Sequence, residues 1–162
     1  MIKHILVVCE GNVCRSPIAQ GLLQRALPGI VVVSAGVSAI DGVAIDPIAD
    51  RMLKARGIDL SGHRSKRLDR QMCRDADLIL AMELAQRRAV ERLRPVAHGR
   101  VYRLAEALAS DVPDPYRRAL PRYDHATMLI EQGVRDWAAR IVNLNGRGRP
   151  GHACPAAEGP RK

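Results

Sequence analysis

The feature that most restricts this fold is the apolar, β-branched stretch Ile2–Val8, which stops abruptly at Cys9-Glu10-Gly11-Asn12. Such a stretch reads as a buried strand, and the cluster after it reads as a loop. Ser16-Pro17 then reads as a helix N-cap with Pro at the first helical position. Ile18, Leu22, Leu23, Ala26 and Leu27 fall on one face of the helix that follows. The chain therefore opens as strand, tight loop and helix.

The same pattern repeats downstream. Pro28-Gly29 stops the first helix, and Ile30–Val33 is a second apolar strand, ended by Ser34-Ala35-Gly36. Asp46-Pro47 repeats the cap-plus-proline signature, with a helix to about Arg56 and Gly57 as its C-cap. Leu78–Met82 reads as a third buried strand, 83–93 as a helix, and Val101–Leu104 as a short fourth strand. Residues 105–121 hold three prolines and no clear period, which predicts a loop with at most one helical turn. In the last segment Ile130, Val134, Trp137, Ile141 and Leu144 sit four and three apart, which predicts a helix over 122–144. Alternation of this kind predicts an α/β fold: one four-stranded parallel sheet with helices on both faces. Ligands of such sheets bind beyond the carboxyl ends of the strands, which is where Cys9 falls. Residues 1–144 form the single expected domain. The tail 145–162, basic and rich in Gly, Pro and Arg, is expected to be disordered.

Composition narrows the function. The 162 residues suffice for one core, yet the chain has one Trp, three Tyr and no Phe. So few aromatics argue against a single-stranded nucleic-acid binder, which needs stacking platforms. Four cysteines (Cys9, Cys14, Cys73, Cys154) are too few and too unevenly spaced for a secreted disulfide scaffold. No signal peptide or membrane-length apolar run is evident, so a cytoplasmic protein without membrane insertion is expected. Cys9 and Cys14, with His63 and Cys73 far away, lack the paired spacing of a metal site. No Gly-Lys-Ser/Thr loop is present, so no nucleotide or other cofactor is expected. The net charge of +9 fits either an anionic partner or a solvated basic surface.

The chemistry concentrates in Cys9-Glu10-Gly11-Asn12-Val13-Cys14-Arg15-Ser16-Pro17. A tight loop running into a helix N-terminus aims backbone N–H groups and the positive end of the helix dipole at one point, which suits a tetrahedral anion. Gly11 permits close approach and positive φ, and Asn12 tolerates a left-handed backbone. Arg15 can grip two phosphate oxygens with its planar fork. The same field favours Cys9 as a sulfur anion placed for in-line attack. Ser16 can donate to that sulfur, cap the helix, or both.

These nine residues resemble the C-x5-R-S signature of the low-molecular-weight protein tyrosine phosphatases. The match includes the Gly-Asn pair, the second Cys, Ser-Pro and the position directly after the first strand. Asp114-Pro115-Tyr116 is similar to that family's general-acid loop. The resemblance implies Cys9 as nucleophile, Arg15 as phosphate clamp and Asp114 as general acid, with Asp111 the alternative acid. Glu10, Gly11, Asn12, Val13, Cys14 and Ser16 would cradle the phosphate, and Tyr116 would form an aromatic wall. The resemblance further implies that Ser34 and His63 support Asn12 in its strained conformation, and that Cys14 protects Cys9 from over-oxidation through a reversible disulfide.

Val37-Ser38-Ala39-Ile40-Asp41 lacks the aromatic that eukaryotic members carry after the second strand, and Arg117 stands where they have a second Tyr. Both departures resemble the bacterial members that act on autophosphorylated tyrosine kinases controlling exopolysaccharide export. The implied partner is therefore a phosphotyrosine protein, a bacterial tyrosine kinase, met by a monomeric enzyme, with exposed Val37 and Ile40 contributing to the contact. Glu10 is expected to point outward, because inward it would repel phosphate. Two alternatives are arsenate reductase on the same fold and a non-catalytic phosphate-binding module. The first lacks a resolving Cys pair, since no Cys lies between 74 and 153. The second has no need of a nucleophile and a placed acid.

Overall fold

A computed structural model describes residues 1–147. Of the tail 145–162 expected to be disordered, residues 145–147 are instead helical, while the rest of it and Cys154 lie outside the described residues. Four strands, β1 (His4–Cys9), β2 (Val31–Gly36), β3 (Leu78–Ala81) and β4 (Val101–Arg103), form one parallel sheet in the order β2-β1-β3-β4. Five helices connect and cover it: α1 (Arg15–Ala26), α2 (Pro47–Lys54), α3 (Arg70–Asp75), α4 (Leu84–Leu93) and α5 (Leu120–Arg147). Short 3-10 turns at Pro95–Ala97 and Glu106–Leu108 complete the connections, the second being the single turn expected within 105–121.

β1 is central, and Ile5 to Cys9 are all buried. Its side chains alternate between two apolar clusters. Ile5, Val7 and Cys9 pack with residues of α1, α2 and α5, including Ile18, Leu23, Leu53, Ile130 and Trp137. Leu6 and Val8 pack with Cys73 of α3, Val90 of α4 and Ala97. Cys73 is thus a core residue. Two of the scarce aromatics serve packing: Tyr123 and Trp137 are buried, and Trp137 Nε1 donates to the carbonyl of Leu104 at 3.0 Å.

Several boundaries differ from the sequence reading. β1 begins at His4 and β2 runs on through Ser34-Ala35-Gly36. α1 begins at Arg15, with Cys14 at its N-cap and no side-chain cap. Ser16 is therefore inside the first turn and does not cap it. Pro17 still fits there, because first-turn N–H groups have no intrahelical partner. α3 was not foreseen: six residues are too few to display a period, and its start is marked only by Asp69, which accepts from Met72 N at 2.8 Å. α5 starts at Leu120 and continues to Arg147, three residues past the expected end, with Asn145 bonded to both N–H and C=O of Ile2.

Asp46 caps α2 as the sequence suggests, accepting from Ala49 N at 3.1 Å. Gly57, at φ 74°, lets Gly57 N reach Lys54 O and Ile58 N reach Leu53 O, the paired bonds of a Schellman ending. Among the described residues no helix is long and apolar enough to cross a membrane.

The strand order reverses direction between β1 and β3. That places a crevice beyond their carboxyl ends, where Cys9 and the Met82-Glu83 corner emerge side by side.

Candidate active site

A pocket of about 160 Å³ opens at this crevice, lined by Cys9 to Arg15, Asp114 and Tyr116. Whole small-molecule sites occupy about 300–1,000 Å³, so this one suits the head of a substrate whose body stays on the surface. A larger apolar groove, about 640 Å³, lies at the opposite, amino end of the sheet around Met1, Leu27 and Ile141, without a comparable set of polar groups.

Asn12 organises the loop. It is fully buried and has a left-handed φ of 56°. Its backbone N–H donates to Cys9 Sγ at 3.2 Å, and its side-chain amide donates to Ser16 Oγ at 2.8 Å and Ser34 Oγ at 2.9 Å. Its Oδ1 accepts from Lys66 N at 2.9 Å. His63 Nε2 lies 2.7 Å from the Asn12 carbonyl, where it can only donate. The Ser34 hydroxyl in turn donates to Gln20 Oε1 at 2.5 Å. Every polar atom of a strained residue is thereby satisfied, which is the condition for holding it there.

Gly11 differs from expectation. It does not take a positive φ, and a Cβ added to it would meet only Val13 at 3.9 Å. The tight glycine is Gly36 at the end of β2. A Cβ there would sit 2.6 Å from the Glu10 carbonyl and 2.9 Å from Asn12 N. The loop is bound to this strand end by Val37 N to Cys9 O and Ser38 N to Glu10 O, each at 3.0 Å.

Cys9 is 3% exposed and lies 2.9 Å from Ser16 Oγ. Because that oxygen already accepts from Asn12, its hydrogen is free for the sulfur. Cys14 also lines the pocket but is chemically distinct. Burial first, then the carboxylate of Asp46, pushes its thiol far above the usual range, so it remains protonated.

Arg15 is 2% exposed. Nη1 donates to the Val112 carbonyl at 2.7 Å and to Glu83 Oε1, and Nη2 lies 3.4 Å from Asp114 Oδ2. Asp114 is half exposed, and its Oδ1 accepts from Tyr116 N at 3.1 Å, closing a turn around Pro115. The alternative acid, Asp111, is committed elsewhere: Oδ1 accepts from Leu84 N at 3.0 Å and from Arg103 Nη1 at 3.1 Å, and Asp111 does not line the pocket. The Glu10 carboxylate is exposed and accepts from Ser38 Oγ at 2.6 Å. Val37 is half-buried and Ile40 is exposed.

Glu83 is the participant the sequence reading missed. It is the N-cap of α4, with its side chain and that of Gln86 bonded reciprocally across the first turn. The Glu-x-x-Gln spacing is a signal available for the cap alone, and nothing local marks the contact to Arg15, 68 positions away.

Residues 4–145 match the model of the low molecular weight phosphotyrosine protein phosphatases. EpsP of Ralstonia nicotianae, named a probable low molecular weight protein-tyrosine-phosphatase, is 45% identical over 144 residues, which span 89% of this chain and 99% of that protein. The tyrosine phosphatase Wzb from Escherichia coli K30, solved with sulphate, superposes with a TM-score of 0.83 at 37% identity, covering 87% of this chain and 99% of that one. The YwlE arginine phosphatase from Geobacillus stearothermophilus gives a TM-score of 0.85 at 31% identity, covering 92% and 99%. The chain belongs to the low molecular weight phosphotyrosine protein phosphatase family.

Proposed function

We propose that this protein hydrolyses phosphotyrosine in proteins through a phosphocysteine intermediate. The observation that carries the reading is the set of donors around one sulfur: Asn12 N and Ser16 Oγ touch Cys9 Sγ, and Arg15 and Asp114 share its pocket. In the first step Cys9 Sγ attacks phosphorus. The S–P bond forms as the P–O bond to the phenol breaks, and Asp114 delivers the proton that the leaving oxygen needs. In the second step Asp114 takes a proton from water, which attacks the same phosphorus. Phosphate leaves and Cys9 is regenerated with the electron pair of the S–P bond. Arg15 spans the equatorial oxygens in both steps. With Nη1 held by Glu83 and Val112, its remaining N–H groups are those available to phosphate.

Val13 and the Tyr116 ring supply apolar walls that suit a phenyl group. A protein kinase with several phosphotyrosines, in a bacterial exopolysaccharide export system, is the partner we favour, met by a monomeric enzyme in the cytoplasm. Cys14 would guard Cys9 by closing a disulfide on oxidation.

The likeness to the YwlE arginine phosphatase supports a second reading, hydrolysis of phosphoarginine. One assay decides between them. The purified protein is given p-nitrophenyl phosphate, a phosphotyrosine peptide and its phosphoarginine counterpart, without added metal, beside Cys9→Ser. Turnover of the phosphotyrosine peptide, lost in Cys9→Ser with phosphate binding retained, is expected. Preference for the phosphoarginine peptide would establish the second reading, and full activity of Cys9→Ser would remove the mechanism.

A further inference from the structure

We propose that Arg117 determines specificity by selecting phosphotyrosines that carry a second anionic group beside them; this rests on the phosphotyrosine reading above. Three observations about this one residue converge. Its φ is 59°, a left-handed backbone that long side chains seldom adopt. Such outliers cluster where a surface is shaped for a ligand, and this one directly follows Tyr116, which lines the catalytic pocket.

The second observation is a stack. The guanidinium carbon of Arg117 lies 5.2 Å from the centroid of the Tyr116 ring, within cation–π range. The stack biases the charge toward the mouth of the pocket. Less side-chain entropy is left to lose when a partner arrives.

The third is the lack of a counter-ion. Among the described residues Arg117 makes no ion pair, although Asp114 is only three positions away. The Asp114 oxygens are engaged by Tyr116 N and Arg15 Nη2. Glu10, the exposed carboxylate at the same pocket, is tied to Ser38. A guanidinium without a counter-ion among the described residues, stacked beside this pocket, fits a planar or tetrahedral oxyanion presented by the substrate. Two sources share that chemistry: a Glu or Asp next to the phosphotyrosine, or the phosphate of a neighbouring phosphotyrosine.

The test compares wild type with Arg117→Gln on four substrates. These are p-nitrophenyl phosphate, a phosphotyrosine peptide with neutral flanks, the same peptide with an adjacent Glu, and the same peptide with an adjacent second phosphotyrosine. Wild type is expected to prefer the anionic peptides over the neutral one by about three- to fivefold in kcat/KM, the scale of a partly exposed charge pair. That preference should vanish in Arg117→Gln, and in wild type at about 0.5 M salt, with the p-nitrophenyl phosphate and neutral-peptide rates unchanged. A preference confined to the doubly phosphorylated peptide assigns the site to phosphate, and one shared by both assigns it to anions generally. A preference that survives Arg117→Gln overturns the proposal, as does none in wild type. Equal loss on all four substrates also overturns it, making Arg117 a stiffener of the Tyr116 wall. If wild type cleaves p-nitrophenyl phosphate but no phosphotyrosine peptide, the underlying reading itself has failed.

Discussion

A Cβ on Gly36 would lie 2.9 Å from the amide nitrogen of Asn12, so the end of β2 and the anion-binding loop meet at a contact that only glycine permits. Gly36→Ala must push on backbone atoms of Glu10 and Asn12, since no flexible side chain is there to yield. We expect a loss of about 1–3 kcal/mol in stability, the usual cost of overpacking. We also expect kcat/KM to fall at least tenfold at temperatures where the variant is fully folded, because the loop that carries Cys9 moves. Urea unfolding and p-nitrophenyl phosphate kinetics check the two effects separately. Unchanged kinetics in a destabilised protein would sever the link between this contact and the site.

Asp114 is expected to act on the leaving group. Asp114→Asn should slow phenyl phosphate hydrolysis by about 10²–10⁴-fold, the range of general acid catalysis. Leaving groups that need no proton should be slowed far less. A series of substituted phenyl phosphates measures the slope. Equal slowing across the series would take the acid role away from Asp114.

Glu83 is expected to position Arg15 without touching substrate. Glu83→Gln keeps an acceptor oxygen for Nη1 and should retain most stability. Glu83→Ala leaves a buried guanidinium short of a partner, at about 1–3 kcal/mol. Both should raise the inhibition constant for inorganic phosphate, alanine more than glutamine. If Glu83→Ala binds phosphate as wild type does, Val112 and Asp114 alone position the clamp.

Stability should decline in alkali. Cys14, ordinarily at 9.0, is pushed far up by burial, and Tyr123 is pushed up from 10.0 to about 12 by burial and by the nearby Asp46 carboxylate. Both groups hold their proton more tightly folded than unfolded. Their contribution is complete below about pH 9 and is lost as pH rises through the folded values, at up to about 1.4 kcal/mol per pH unit for each. The melting temperature should fall from pH 9 upward. Cys14→Ala with Tyr123→Phe should flatten that dependence, and an unchanged slope would assign it to other groups.

Much of this site could be read along the chain, and the reason is local geometry. A strand, a tight loop and a helix start fall within a few residues, so Cys9, Asn12 and Arg15 are brought together by short-range structure. Asp114 could be picked out only because Pro115 and Tyr116 accompany it. Of the two uses the sequence allows for the Ser16 hydroxyl, the contact with the Cys9 sulfur is present and the cap is not, because the helix begins one residue earlier, at Arg15. Gly11 drew attention as the loop glycine, whereas the crowding is at Gly36, across the sheet. Glu83 could not be found at all, because its meeting with Arg15 depends on β1 and β3 being neighbours, a fact of strand order. α3 left too short a trace to register.

The near-complete burial of Arg15 has an evolutionary consequence. A guanidinium so enclosed is immobilised when the polypeptide folds, so an anion entering the pocket would meet a charge that is already oriented. Selection for activity and selection for a well-formed interior then act on the same atoms. A change at Glu83 that removes its acceptor oxygen therefore disturbs the interior and the phosphate grip together.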